Sequence, residues 1–227
     1  FPYTTLFRSV LRICRELPQV PEDLEGLERS ALDWGDFDND GDLDLIVTGF
    51  SGGVPQTRLY RNGGTNNLAP DKLELFATTL PNLGAGAVAW GDYDHDGDLD
   101  LLICGDARDY SKPPLPCTAP PIHSRPPGAS YLCLNTAQEP QPQTQLFRND
   151  GLTTSGRHAG KWGFTPVSIE FPAYFSYTGG RAMTARAEWC DLSGDGELDL
   201  VLGGMSTLPG LPEFGVPSAK VFRNGGP

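Results

Sequence analysis

The chain has 227 residues, 38% hydrophobic and 10% aromatic, enough for a folded core in one or two domains. Its formal net charge is −12, from 29 Asp and Glu against 17 Lys and Arg, which excludes the basic footprint of a nucleic-acid binder, so no nucleic-acid partner is expected. Five cysteines without CxxC spacing argue against a zinc site, and no signal peptide, spanning segment or N-x-S/T sequon is visible.

Residues 1–9, FPYTTLFRS, resemble the conceptual translation of a common sequencing adapter and are set apart from the fold. Residues 10–29 begin with VLRICRELPQV, whose L-P-x-apolar ending matches Leu80–Leu83 at the close of LELFATTL. By this match Val10–Val20 is the outer strand of a unit whose earlier strands are missing, and Glu22–Arg29 is a charged connector. The chain is thus expected to start in mid-repeat, inside a longer protein.

From residue 30 a repeat governs the chain. WGDFDNDGDLDLIVTG at Trp34–Gly49 returns as WGDYDHDGDLDLLICG at Trp90–Gly105 and as WCDLSGDGELDLVLGG at Trp189–Gly204. Carboxylates fall at relative positions 1, 3, 5 and 9 with Gly at 6: Asp36, Asp38, Asp40 and Asp44, then Asp92, Asp94, Asp96 and Asp100. The third copy has Asp191, Ser193, Asp195 and Asp199. Position 7, held by Asp42, Asp98 and Glu197, offers a backbone carbonyl. The loops carry about half of the chain's acidic residues and none of its Lys or Arg, so the acidity is local. Carboxylates this crowded repel one another unless a cation sits among them, and hard oxygen ligands suit Ca²⁺. Up to three Ca²⁺ are expected, one per loop, with Ser193 weakening the third.

An EF-hand would need a bidentate Glu at position 12, where this chain has Val47, Ile103 and Leu202. The short β-branched run after position 9 reads as a buried strand, so each loop joins two strands. Asn39, His95 and Gly194 at position 4 are types that tolerate positive φ, which makes His95 a turn residue. In the first complete unit strands are expected near Ser30–Gly35, Leu45–Thr48, Thr57–Arg61 and Leu73–Thr79. Asn62-Gly63, Asn149-Asp150-Gly151 and Asn224-Gly225 mark the turn after each third strand.

The DxDxDGxxD loops followed by LDL, with LYRNGG, LFRNDG and VFRNGG returning in phase, resemble FG-GAP/VCBS repeats, the family of calcium-binding β-propellers that includes the integrin α-subunit head. The resemblance implies an all-β fold, blades of four antiparallel strands with Ca²⁺ in the turn between the first and second, here as an incomplete, open propeller. It leaves the ligand open. The units are residues 30–80, 81–172 and the partial 173–227, whose first strand is expected near Ala182.

Trp34 and Trp90 are 56 residues apart, but Trp90 and Trp189 are 99 apart. Most of the extra length falls at 106–143, rich in proline and containing Cys117 and Cys133. The rest falls mainly before the third unit and contains Tyr174, Phe175, Tyr177 and Arg181, aromatics beside Arg that could bind a sugar or peptide. Both connections emerge on the face away from the acidic loops. A Cys117–Cys133 disulfide is expected, with Cys104 as competitor, while Cys104 and Cys190, at opposite strand ends, are not expected to bond. These features fit an extracellular or cell-surface calcium-binding module that binds a protein or glycan on the insertion face, with further blades of the same longer chain as its neighbours. HExxH and a phosphate-cradling glycine loop are absent, and no catalytic residue is assigned. Two alternatives stand beside this: the scaffold of a secreted polysaccharide lyase or glycosidase, using His123, His158, Lys161 and Tyr177, or a spacer in a repeat array.

Overall fold

The structure, a computed structural model, describes residues 24–63, 73–111, 142–152, 162–172, 174–175, 185–208 and 211–225. Among these residues every regular element is a strand, and no helix is long and apolar enough to cross a membrane.

β1 (Glu28–Gly35), β2 (Asp44–Ser51), β3 (Val54–Asn62) and β4 (Leu73–Phe76) form one antiparallel sheet in chain order. β5 (Gly84–Gly91), β6 (Asp100–Asp106), β7 (Pro142–Leu152) and β8 (Trp162–Pro166) form a second. The third contains β10 (Arg186–Cys190), β11 (Asp199–Leu208) and β12 (Leu211–Phe222), with β9 (Tyr174–Phe175) beside β11. β5 packs against β1 on one side and β10 on the other, so the sheets stack through their first strands. The arc does not close: this is an open, propeller-like fragment.

The period-2 alternation of a strand explains the two cores. From β6, Leu101 and Ile103 enter a core with Phe37, Ile46, Leu59 and Trp90 of the first joint. Leu102 and Cys104 enter the second, with Leu146, Ala187, Leu200 and Leu202. All of β5 and β6 is buried because the middle sheet is covered on both faces. β1 is covered on one face only, leaving Leu32 and Trp34 exposed.

The Trp-Gly pair at each loop entrance builds the joints. A Cβ on Gly35 would lie 2.8 Å from the Trp90 ring, and one on Gly91 would lie 2.6 Å from Trp189. Each tryptophan rests on the glycine of the preceding sheet, at a spacing no larger residue allows. The L-P-x-L segment after β4 is latched by Thr57, whose hydroxyl donates to Pro81 O at 2.7 Å and accepts from Leu83 N at 3.2 Å.

In the third sheet both β9 and β10 pair with β11; Ala182, where the first strand of this unit is expected to open, lies outside the described residues. In β1 and β5 the register shifts between Glu28 and Ala31 and between Gly84 and Ala87, and Arg29 and Ala85 there have φ of 49° and 53°. The third sheet is interrupted at the matching place: Phe175 pairs with Met205 and Arg186 with Gly203. The second insertion therefore splits a first strand at its bulge, where the extra residue is already unpaired and more can be added without breaking the ladder.

Candidate acidic-loop site

Each loop turns on two left-handed residues. Asn39, His95 and Gly194 have φ of 56°, 58° and 76°, and Gly41, Gly97 and Gly196 have φ of 93°, 93° and 94°. The position-1 carboxylate caps this turn: Asp36 accepts from Asp40 N and Gly41 N, both at 3.0 Å. Asp92 accepts from Gly97 N at 3.2 Å, and Asp191 from Gly194 N at 2.6 Å and Gly196 N at 2.9 Å. These bonds curl the loop so that positions 1, 3 and 5 face one another.

Asp36, Asp38 and Asp40 each present a carboxylate oxygen within 4.8 Å of the others, as do Asp92, Asp94 and Asp96. Both oxygens of Asp38 and Oδ1 of Asp92 are shielded from solvent without a hydrogen-bond partner. Burial holds the Asp38 and Asp94 carboxyls above the usual carboxylate range, and neighbouring aspartates add to the effect. Orphaned anionic oxygens converging on one point are a fit donor set for a hard divalent cation. In the first loop Arg61 supplies partial neutralisation, its Nε 2.5 Å from Asp38 Oδ2 and its Nη2 3.2 Å from Asp40 Oδ2. The Nε contact is an ion pair and does not count as a hydrogen bond to either atom. In the second loop the matching Arg148 turns instead to Asp150. The third loop has Ser193 where the others have their middle carboxylate.

Position 9 has a different task. Asp44, Asp100 and Asp199 are fully buried, with both oxygens engaged by backbone. Oδ2 accepts from Phe37 N, Tyr93 N or Leu192 N, and Oδ1 from Asn62 N, Asn149 N or Asn224 N, at 2.7–3.2 Å. The residue staples the loop to the end of the third strand. Desolvation pushes the carboxyls of Asp44 and Asp100 up to about 7 against the opposing effect of these bonds.

Two contacts between loops had no signature within a single repeat. Asp98 Oδ1 accepts from Asn39 Nδ2 at 2.6 Å, and His95 Nδ1 lies 3.0 Å from Glu197 Oε2. The position-7 side chain of one loop thus meets position 4 of the loop before it. The strand-end asparagine crosses the same joint. Asn149 Nδ2 donates to Phe37 O at 2.8 Å and Leu99 O at 3.2 Å, and Asn224 Nδ2 donates to Tyr93 O at 2.7 Å.

Of the other expected sites, Tyr174 and Phe175 lie in β9, whereas Tyr177, Arg181, Cys117, Cys133, His123, His158 and Lys161 fall outside the described residues. Cys104 and Cys190 are free thiols, so Cys104 is not a disulfide partner. Burial pushes the Cys104 thiol up to about 12.

Antiparallel four-stranded sheets, stacked through their first strands and carrying an acidic hairpin loop at one end, define a β-propeller-type repeat domain. Residues 30–103 match the family model described as FG-GAP-like repeat, and this stretch of the chain is such a repeat. Comparison with curated proteins and with solved structures gives no match.

Proposed function

We propose that the chain is a calcium-stabilised, extracellular propeller segment that binds a protein or glycan on the face opposite the acidic loops and catalyses no reaction. The observation that carries this reading is the convergence of Asp36, Asp38 and Asp40, and of Asp92, Asp94 and Asp96, with buried oxygens of Asp38 and Asp92 that accept no hydrogen bond. Ca²⁺ would be held by these six side chains, with the backbone carbonyls of Asp42 and Asp98 as further donors and a weaker site at Asp191, Ser193 and Asp195, completed by the carbonyl of Glu197. When bound it supplies the positive charge that ends their mutual repulsion. Asp44, Asp100 and Asp199 would act mainly as positioning residues, because backbone amides already occupy their oxygens.

Extracellular calcium at millimolar levels fills modest sites of this kind, which supports a secreted or cell-surface setting. Exposed Leu32 and Trp34 form a surface on which further blades of a longer chain would pack. Calorimetry with Ca²⁺ tests the reading. Two similar sites and a weaker third are expected, with Asp38→Asn removing one. At a concentration about 100 times Kd each site adds about 2.7 kcal/mol to stability, so a chelator lowers Tm by several degrees. No calcium heat together with a Tm indifferent to chelator rejects the metal assignment. A glycan and protein binding screen in calcium tests the ligand half.

A further inference from the structure

We propose that Asn39, in the first acidic loop, is a positioning residue for the calcium site of the second, so that this site is completed from the sheet before it. The proposal rests on the calcium reading above and adds to it a residue outside the donor set. Asn39 Nδ2 donates to Asp98 Oδ1 at 2.6 Å and to Gly97 O at 3.4 Å. Asp98 holds position 7, whose backbone carbonyl is the further donor to the second site. Its own N–H donates to Asp96 Oδ1 at 3.0 Å, and Asp96 is one of the three converging carboxylates. The side chain of Asp98 is thus tied to the first sheet, its N–H to a carboxylate of the site, and its carbonyl is left for the cation. Partners one step beyond the donors orient them, and donors oriented in advance cost less to order on binding.

The rest of the joint keeps the two loops at this distance. Leu99 O, next along the chain from Asp98, accepts from Asn149 Nδ2 at 3.2 Å, and the same amide reaches Phe37 O of the first loop at 2.8 Å. The second joint repeats the contact with other groups, His95 Nδ1 lying 3.0 Å from Glu197 Oε2. The first loop has only the local half of the arrangement. Asp42 N donates to Asp40 Oδ1 at 3.1 Å, but among the described residues no side chain of another sheet meets the Asp42 carboxylate. The third loop shows that position 4 needs no side chain for its own turn: Gly194 has φ of 76° where Asn39 has 56°, and the glycines at position 6 have 94° and 93°. Asn39→Gly therefore removes the amide while leaving the first loop free to fold.

The full chain, labelled for amide NMR, is titrated with Ca²⁺ alone, and the amide signals of Gly41, Gly97 and Gly196 report the three loops separately. In Asn39→Gly the Gly97 midpoint should move to about fivefold higher calcium, the low end of coupling between sites because the bond is exposed. The Gly41 and Gly196 midpoints should stay within about twofold, and the Tm in chelator within about 2 °C, which a merely structural role would not separate. Asp98→Ala keeps the carbonyl and loses the acceptor, so it should also weaken the second loop. Adding Asn39→Gly to Asp98→Ala should change the Gly97 midpoint by less than about twofold, as expected of two residues acting through one contact. A Gly97 midpoint unchanged in Asn39→Gly, equal shifts at all three loops, or two substitutions whose effects multiply each overturns the proposal. If no glycine amide of the unsubstituted chain responds to calcium, the calcium reading falls and the proposal with it; if they respond and Asn39→Gly changes nothing, the proposal alone falls.

Discussion

Substituting Gly35 by Ala tests whether the tryptophan-on-glycine contact sets the spacing between sheets. The new methyl would sit 2.8 Å from Cγ and Cδ1 of Trp90 and 2.9 Å from Cδ1 of Leu99. Unstrained carbon contacts lie at about 3.5–4.0 Å, so the indole must retreat by roughly 0.7–1.2 Å. It has little room, with the Phe37 ring stacked at a 12° interplanar angle and 6.3 Å and the Phe164 ring at 6.1 Å. Overpacking of this kind costs about 1–3 kcal/mol, or about 2–12 °C in Tm for a domain of this size. Urea and thermal unfolding in calcium should show that loss for Gly35→Ala, and a similar one for Gly91→Ala against Trp189. Gly203→Ala, where a Cβ meets nothing within 4 Å, should stay within about 0.5 kcal/mol of wild type. In a Trp90→Leu background the Gly35→Ala penalty should fall by about 1 kcal/mol, the coupling expected of residues in contact. A Gly35→Ala protein that melts with the wild type, or a penalty untouched by Trp90→Leu, refutes the reasoning.

Asn149→Ala should cost about 2–4 kcal/mol, because it strands the buried carbonyl of Phe37 and the partly buried carbonyl of Leu99; Asn62→Ala, whose exposed side-chain amide donates to Leu43 O of the preceding loop, should cost about 1 kcal/mol or less. Equal losses would contradict the cross-joint role of Asn149. In metal-free buffer the urea midpoint should rise as pH falls from about 8 toward 5: with folded carboxyls of Asp44 and Asp100 at about 7 against an ordinary 3.8, the folded state binds protons more tightly, and that stabilisation is lost as pH rises through 7. A midpoint that rises with pH instead would show that these carboxylates are favoured in the ionised form. Arg61→Gln should tighten calcium at the first loop several-fold while lowering the metal-free Tm, since Arg61 is the competing cation beside Asp38 and Asp40; unchanged affinity would place Arg61 outside the site.

Much of this was legible because the repeat holds local and global signals in phase. The WGDFDND register placed β1, its loop and β2 to within a few residues, and the Asn-Gly pairs marked the ends of β3 and β12. The division of labour among the aspartates was not legible. Asp44 and Asp36 are the same residue in the same loop, and only burial between strand ends turns the former into a backbone staple. The Asn39–Asp98 and His95–Glu197 contacts depend on how one sheet is set against the next, which no single repeat encodes. The interruption between β9 and β10 was missed because the bulges are carried by Arg29 and Ala85, residues that do not advertise positive φ, so the extra length was assigned ahead of the strand.

Cys190 stands where the first two sheets have Gly35 and Gly91. A thiol on that saddle would leave no seat for an indole at the depth that Trp90 and Trp189 reach on Gly35 and Gly91, so any sheet stacked there would have to sit farther off or offer a smaller side chain.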